Sequence, residues 1–385
     1  MKKMKKLLAL LLALAMVLSL ASCSSSGSDD ADEDAADETT ADESEEAEDT
    51  EETEEEAEES TETVEVDALS IEFSTTYQST ETVGTLIQYF VDTLEESSGG
   101  QITVNVSWGG TMFDDSSQLD AVSSGAVNMI TYLPNGHLDE TPLFSVPSYA
   151  PGDVSTPVEY YNYLMEENEE TAALFAAEAE SLGIMYLNVL AGGPDAFCAT
   201  FSFETLDELV EQCTSFGILA SAAYEALGLT CSSVGIADRY DNLDRGIIDA
   251  TTMTLTAIAS MSWFEVAPYV VQNGLYSAGN FFTVNQDWWD SLSEAQQELI
   301  QAAADAAEAY SIELIEGDID SAIETIEAGG GTVSILSDDD ISHWWNTYMG
   351  VMYEDALARG ENLGNTDEIV TVFEAAMEYT GYEAE

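Results

Sequence analysis

The stretch LSIEFSTTYQSTETVGTLIQYFVDTLEESSGGQITVNVSW, Leu69 to Trp108, decides the fold. Its first six residues, Leu69 to Ser74, alternate apolar and polar, the period of a half-buried strand. The period then changes. Val83, Leu86, Ile87, Phe90, Val91 and Leu94 recur in steps of three and four, which sets them on one stripe of a helix capped by Thr80 or Ser79. Gly99 and Gly100 stop that helix, and Gln101 to Trp108 alternates again through Ile102, Val104 and Val106. A short helix around Gln118 to Ser123 and a strand over Ala126 to Tyr132 complete a β-α-β-α-β order, which implies a parallel sheet with helical crossovers.

Further along the chain the alternation restarts. Ile184 to Val189, Phe197 to Phe201, Cys213 to Gly217 and Thr230 to Val234 read as strands, with a helix near Ser221 to Leu227. Asp238 to Arg245 reads as a helix stopped by Gly246. A strand at Asn280 to Val284 precedes a long helix that opens at Ser293 and runs through Leu299, Ile300, Ala303, Ala307, Ile312 and Ile315. No internal repeat is visible. The length of this α/β body suits two lobes rather than one.

Toward the N-terminus the composition changes twice. Lys2, Lys3, Lys5 and Lys6 form a basic start, and Leu7 to Leu20 an apolar core too short to span a bilayer comfortably. Small residues follow at Leu20-Ala21-Ser22, directly before Cys23. That spelling resembles the lipobox of bacterial lipoproteins, which implies a signal peptide over residues 1–22 and a lipid-bearing Cys23 as the new N-terminus. Two or three acyl chains on one residue give stable anchoring where one is marginal. Residues 23–66 then read as a disordered acidic tether. Asp29 to Glu62 carries 21 acids and no aromatic, a composition that self-repels and cannot offset the entropy of ordering. Asp30, Asp32 and Asp34 lack the Gly and distal Glu of a calcium loop.

Beyond the leader the only basic residues are Arg239, Arg245 and Arg359, against 55 of the chain's 76 acids outside the tether. A chain so short of Lys and Arg excludes nucleic acid as a partner. Cys198, Cys213 and Cys231 are odd in number and not spaced for a metal; they read as buried, inert thiols. His137 and His343 are the only histidines, and no metal or cofactor motif is present. Nor is there a Gly-x-Ser-x-Gly elbow or a supported Cys–His pair, so no enzymatic activity is expected. Paired carboxylates for a secreted hydrolase remain the enzymatic alternative in so acidic a chain.

Several blocks in order resemble the DctP-like solute-binding proteins of TRAP transporters. These are SWGGTMFDDSSQLDAVSSGAVNM with Asp114, Asp115 and Asn128, then LGIMYLNVL, then DRYDNLDRGIID with Tyr240, Leu243, Gly246 and Asp249, then SWFEVAPYVV and NFFTVNQDWWDSLSEAQQELIQAAADAA. The resemblance covers Leu69 to about Asp338. It implies a two-lobed, periplasmic-binding-protein-like α/β fold with mixed sheets, flanking helices and a long lobe-spanning helix. On this pattern residues 67–191 and 279–319 form one lobe, and 192–278 and 320–385 the other. It further implies an extracytoplasmic protein that closes on a small-molecule solute and delivers it to membrane permease subunits. An ABC importer or a sensor is the alternative destination.

The chain departs from that family where the ligand is gripped. The arginine that usually holds a carboxylate falls on Thr214, a second arginine falls near Pro194, and the usual asparagine corresponds to Met253. A guanidinium offers carboxylate a bidentate fork; threonine offers one hydroxyl and methionine none. The expected ligand is therefore neutral, aromatic or cationic. The candidate lining is Tyr77, Trp108, Tyr132, Phe197, Thr214, Phe216, Met253 and Trp263, each with core packing as the alternative. Arg239 is expected on a solvated helix face, with restoration of an anion anchor as the other reading.

Overall fold

The computed structural model describes residues 66–134, 137, 139–145, 149–209, 213–215, 218–232 and 234–382. The leader, Cys23, the acidic tether and Phe216 lie outside the described residues, and of Thr214 only the strand position is described. No helix among the described residues is long and apolar enough to cross a membrane.

Periodicity locates the first elements well: β1 (Leu69–Ser74), α1 (Thr82–Ser97), β2 (Ile102–Ser107), α2 (Asp115–Ser123) and β3 (Met129–Tyr132). β1 pairs in parallel with β2 on one side and β3 on the other. The α1 stripe is buried at Leu86, Ile87, Phe90, Val91 and Leu94. Val83 packs half-buried against the same cluster, and Gly84 is buried beside it because a Cβ there would overlap the Gln78 backbone. The cap differs from the sequence reading. Glu81 holds the N-cap position, and its carboxylate accepts the Gln78 N–H at 2.6 Å.

The largest difference lies in the middle of the sheet. Instead of separate strands at Ile184 to Val189 and Phe197 to Phe201, one strand runs through, β5 (Ile184–Ala199). Likewise the strand expected at Asn280 to Val284 is the end of β9 (Tyr269–Asn285). The two lie antiparallel along their lengths, with register shifts between Tyr186 and Ala196. Gly192, Gly193 and Pro194 read as a break in sequence. In the fold they fall among bulges, where a proline without an N–H is tolerated and the strand can bend.

Two half-sheets hang on this pair. The order is β2-β1-β3-β9-β5-β8-β6-β7, where β6 is Cys213–Ser215, β7 Thr230–Ser232 and β8 Ala250–Thr254. β3 runs antiparallel to β9, and β8 antiparallel to β5. β6 lies parallel to both β7 and β8. β4 (Tyr149–Pro151) and β10 (Thr332–Ile335) add to β9. The parallel sheet expected from the sequence is therefore parallel within each half and mixed overall.

The long helix α10 (Glu294–Ala328) spans both halves. Ser293 and Gln296 close a reciprocal capping box at its start. Leu299, Ile300, Ala303, Ala304 and Ala307 pack with Ile71, Phe73 and the α1 stripe, whereas Ala322 and Ile326 pack with Trp263 and Val270. Between these ends α10 serves β5 where β5 lacks a partner strand on that side. Ser311 Oγ accepts the Ala191 N–H at 2.8 Å, Glu308 accepts that of Val189 at 3.3 Å, and Gln301 donates to the Leu187 carbonyl at 2.9 Å. Two further helices close the chain, α11 (Asp338–Leu363) and α12 (Thr366–Thr380). Trp344 of α11 stacks on Tyr224 of α6 (Ile218–Ala226), with ring centroids 4.1 Å apart.

Candidate ligand-binding cleft

Ligands of open α/β sheets bind beyond the carboxyl ends of parallel strands. Here both half-sheets end toward the same place. β3 finishes at Tyr132, paired with Phe281, which pairs in turn with Val189. β8 approaches from the opposite direction and finishes at Thr254, paired with Asp195. The middle of β5 and β9 thus forms a floor between two walls.

At two points of that floor backbone lies directly against backbone. A Cβ on Gly192 would lie 2.5 Å from the Ser277 carbonyl oxygen, and one on Gly279 would overlap the Leu190 and Ala191 carbonyls. Glycine is required because the strands approach too closely for side chains there. Gly193, Tyr276 and Ser277 adjoin these positions, the last two partly exposed.

The first wall is built from the ends of β1 and β2. Thr75 N–H donates to the Ser107 carbonyl at 3.0 Å, Gly109 N–H to that of Tyr77 at 2.8 Å, and Gly110 N–H to that of Thr75 at 2.9 Å. Both glycines sit at φ +65, the left-handed region, which lets the chain turn under Tyr77. The Thr75 and Thr131 hydroxyls bond at 2.8 Å. The Tyr77 hydroxyl accepts the Asn280 amide N–H at 3.1 Å, and burial raises the phenol pKa. Trp108 is half-buried beside this wall.

The second wall carries charge. Asp195 stays partly open to solvent, yet is surrounded closely enough that desolvation pushes its carboxyl up to about 7, against lowering by Asn273, the Ala196 N–H and Arg239. Asn273 Nδ2 donates to Asp195 at 2.7 Å and lies 3.3 Å from the Tyr224 hydroxyl, while its Oδ1 accepts the Leu275 N–H at 3.0 Å.

Of the residues singled out from sequence, Tyr77 and Trp108 stand half-buried at the first wall, and Met253 is half-buried on β8 opposite Ala196. Tyr132 is fully enclosed, its hydroxyl 3.0 Å from that of Thr141. Phe197 packs edge-on to Phe203 and Tyr224, and Trp263 lies in the cluster with Leu243, Ile258 and Ile326. Arg239 corrects the sequence reading. It is 4% exposed, not solvated, and donates to the Thr252 carbonyl at 2.9 Å and the Val234 carbonyl at 3.3 Å. Its guanidinium sits 5.7 Å from the Trp263 ring centroid. Cys198 is a buried thiol donating to the Ala267 carbonyl, pushed up to about 12 by burial, and so inert as expected.

Asp195, Asn273 and Asn280 escaped the sequence reading. Asp195 falls in the gap between the strands expected at Ile184 to Val189 and Phe197 to Phe201. Its one signal was position, a single acid between the apolar runs LNVLA and AFCA.

Two lobes on a crossing strand pair, with their strand ends facing one another, give the architecture of a two-lobed binding protein. The family model described as DctP, bacterial extracellular solute-binding protein, family 7, matches residues 73–357, and the chain belongs to that family. The ectoine-binding periplasmic protein TeaA of Halomonas elongata is 27% identical over 252 residues, covering 62% of this chain and 71% of TeaA. The ectoine/5-hydroxyectoine-binding periplasmic protein UehA of Ruegeria pomeroyi is 22% identical over 240 residues, or 60% and 68% of the two chains. The ligand-free structure of the ectoine-binding protein of the TeaABC TRAP transporter superposes with a TM-score of 0.71 at 20% identity, covering 81% of this chain and 99% of the other. At that identity the likeness speaks to the fold. The chain is thus a bacterial extracellular solute-binding protein of family 7.

Proposed function

We infer that the protein is held outside the membrane by lipid on Cys23, closes its two lobes on one small solute that is not a simple organic anion, and releases it unchanged to the permease subunits. The observation that carries the ligand reading is the second wall. Where a carboxylate receptor of this family sets arginine, the seam of β5 has Pro194 followed by an acid, Asp195. The buried Arg239 is engaged with two carbonyls. Relatives named for ectoine support this choice, since ectoine carries a delocalised cation beside its carboxylate. The lobes expected at 67–191 with 279–319 and 192–278 with 320–385 hinge on this reading where the β5–β9 register shifts gather.

Thermal shift of leaderless protein against ectoine, glycine betaine, choline, succinate and glucuronate tests it. A bound solute at a hundred times its Kd adds about 2.7 kcal/mol of stability, a rise of roughly 5 °C for a body of this size. Rises are expected among the first three probes. Rises confined to succinate and glucuronate would overturn the ligand reading.

A further inference from the structure

Asp195 has the setting of a charge waiting for a counter-charge. It lies at the carboxyl end of β8, on the floor-side edge of the second wall, with part of its surface open. Its side-chain partner is neutral: Asn273 donates at 2.7 Å. That amide has no freedom to do otherwise. Its oxygen is taken by the Leu275 N–H, its amide nitrogen faces the Tyr224 hydroxyl as well, and Tyr224 is itself held by stacking on Trp344. Asn273 is a positioning residue, fixed with its donor toward the carboxylate and unable to turn its oxygen there.

The duller role for Asp195 is the counter-ion of Arg239. Geometry speaks against it. Among the described residues no carboxylate lies within ion-pair distance of Arg239, whose Nε and Nη1 serve carbonyls and whose plane lies near Trp263. Arg239 tempers the charge of Asp195 from a distance without occupying it. A carboxylate has about four acceptor sites, so lone pairs remain for a ligand. Desolvating a carboxylate with so little compensation disfavours the folded state, and the cost is recovered when a cation arrives.

We propose that Asp195 is the anchor for a positively charged nitrogen of the solute, so that this cleft selects a cationic or zwitterionic compound where a carboxylate receptor would select an anion. Small, weakly hydrated cations such as amidinium or quaternary ammonium suit the site best, because half-buried aromatic rings stand at Tyr276, paired with Pro194 next to Asp195, and at Tyr77, bonded to Asn280 of β9. The proposal rests on the solute-receptor reading and is tested so that the two can fail separately.

Isothermal titration of ectoine, glycine betaine and choline into wild type and Asp195→Asn, with mass spectrometry of any co-purified solute, provides the test. The expected result is at least a 50-fold loss of affinity in Asp195→Asn for whichever cationic probe binds wild type. The unliganded variant should melt at or above wild type at pH 8, since a desolvated charge has been removed; a residue that merely holds the fold would lower the melting point. A second measurement needs no variant. Asn273 on β9, itself bonded to Tyr224 on α6, the Ala196 N–H on β5 and Arg239 on α7 (Arg239–Asp244) bear on the carboxyl, and of these only Arg239 is charged. Wild-type affinity for the cation should therefore fall by up to tenfold per pH unit below about 7 and level off above it. Unchanged affinity in Asp195→Asn, a flat pH profile, or binding of anions alone would overturn the anchor and leave the receptor reading standing. Absence of binding by every probe, with no co-purified solute, would remove both.

Discussion

The two walls of the cleft differ in kind. The first closes with neutral hydrogen bonds, the Thr75–Thr131 hydroxyl pair and the Tyr77–Asn280 bond, while Asp115 and Glu81 act on Tyr77 from farther off. The second closes with a carboxylate held by the Asn273 amide and the Ala196 N–H. Neutral hydrogen bonds contribute about 0.5–1.5 kcal/mol net, and those to charged groups about 1.5–3 kcal/mol. The first wall can therefore orient and shape a ligand, while the second can discriminate by charge. Between them lies a floor that belongs to neither, made of glycines on crossing strands.

Substitutions that separate floor, hinge and wall sharpen this contrast. The largest effect is expected from Gly279→Ala, whose methyl meets the Leu190 and Ala191 carbonyls, backbone atoms that cannot swing away. Its cost should be about 3 kcal/mol in chemical denaturation. Next comes Glu308→Gln on α10. Burial, opposed by Asn162 and Val189 and reinforced by Asp305, pushes Glu308 up to about 7 from an ordinary 4.5. Folding thus favours the protonated form, and this contribution is full below pH 4.5 and lost as pH rises through 7. The neutral variant should gain about 2 kcal/mol at pH 8, allowing for partial exposure, and nothing at pH 4. Denaturation midpoints of both proteins across pH 4–8 check the sign.

Smaller still is Tyr77→Phe, which leaves the Asn280 amide, 5% exposed, without its acceptor. A loss of about 1 kcal/mol in stability is expected by denaturation. A drop in ligand affinity far beyond that of Asp195→Asn would invert the roles given to the walls. The smallest effect belongs to Gly193→Ala, where a Cβ would meet only Thr254 and Thr256 atoms at 3.9 Å. Its stability should stay within about 0.5 kcal/mol, against the large loss at Gly279, under the same denaturant series.

Local periodicity made the first half-sheet legible, because alternation in Leu69–Ser74 and the stripe from Leu86 to Leu94 each depend on near neighbours. Ser293 likewise announced α10. The crossing strands were hidden because their identity is tertiary. Gly192, Gly193, Pro194 and Gly279 are turn residues by local rules, and only the partner strand shows that Gly192 and Gly279 relieve close backbone approach while Gly193 and Pro194 fall among bulges. The same blindness concealed Asp195, whose meaning comes from Asn273, 78 positions away. Arg239 was misread for the opposite reason. A short polar helix, RYDNLD, looks solvated from its composition, yet the guanidinium turns inward to β8 and Trp263.

A crystal structure of the protein with a bound cationic probe would test the central claim most directly. The solute should lie over the β5–β9 floor, with its charged nitrogen roughly 3 Å from an Asp195 oxygen and its other end facing Tyr77 and Asn280. A solute lodged elsewhere, or one in the cleft whose cation points away from Asp195, would contradict it.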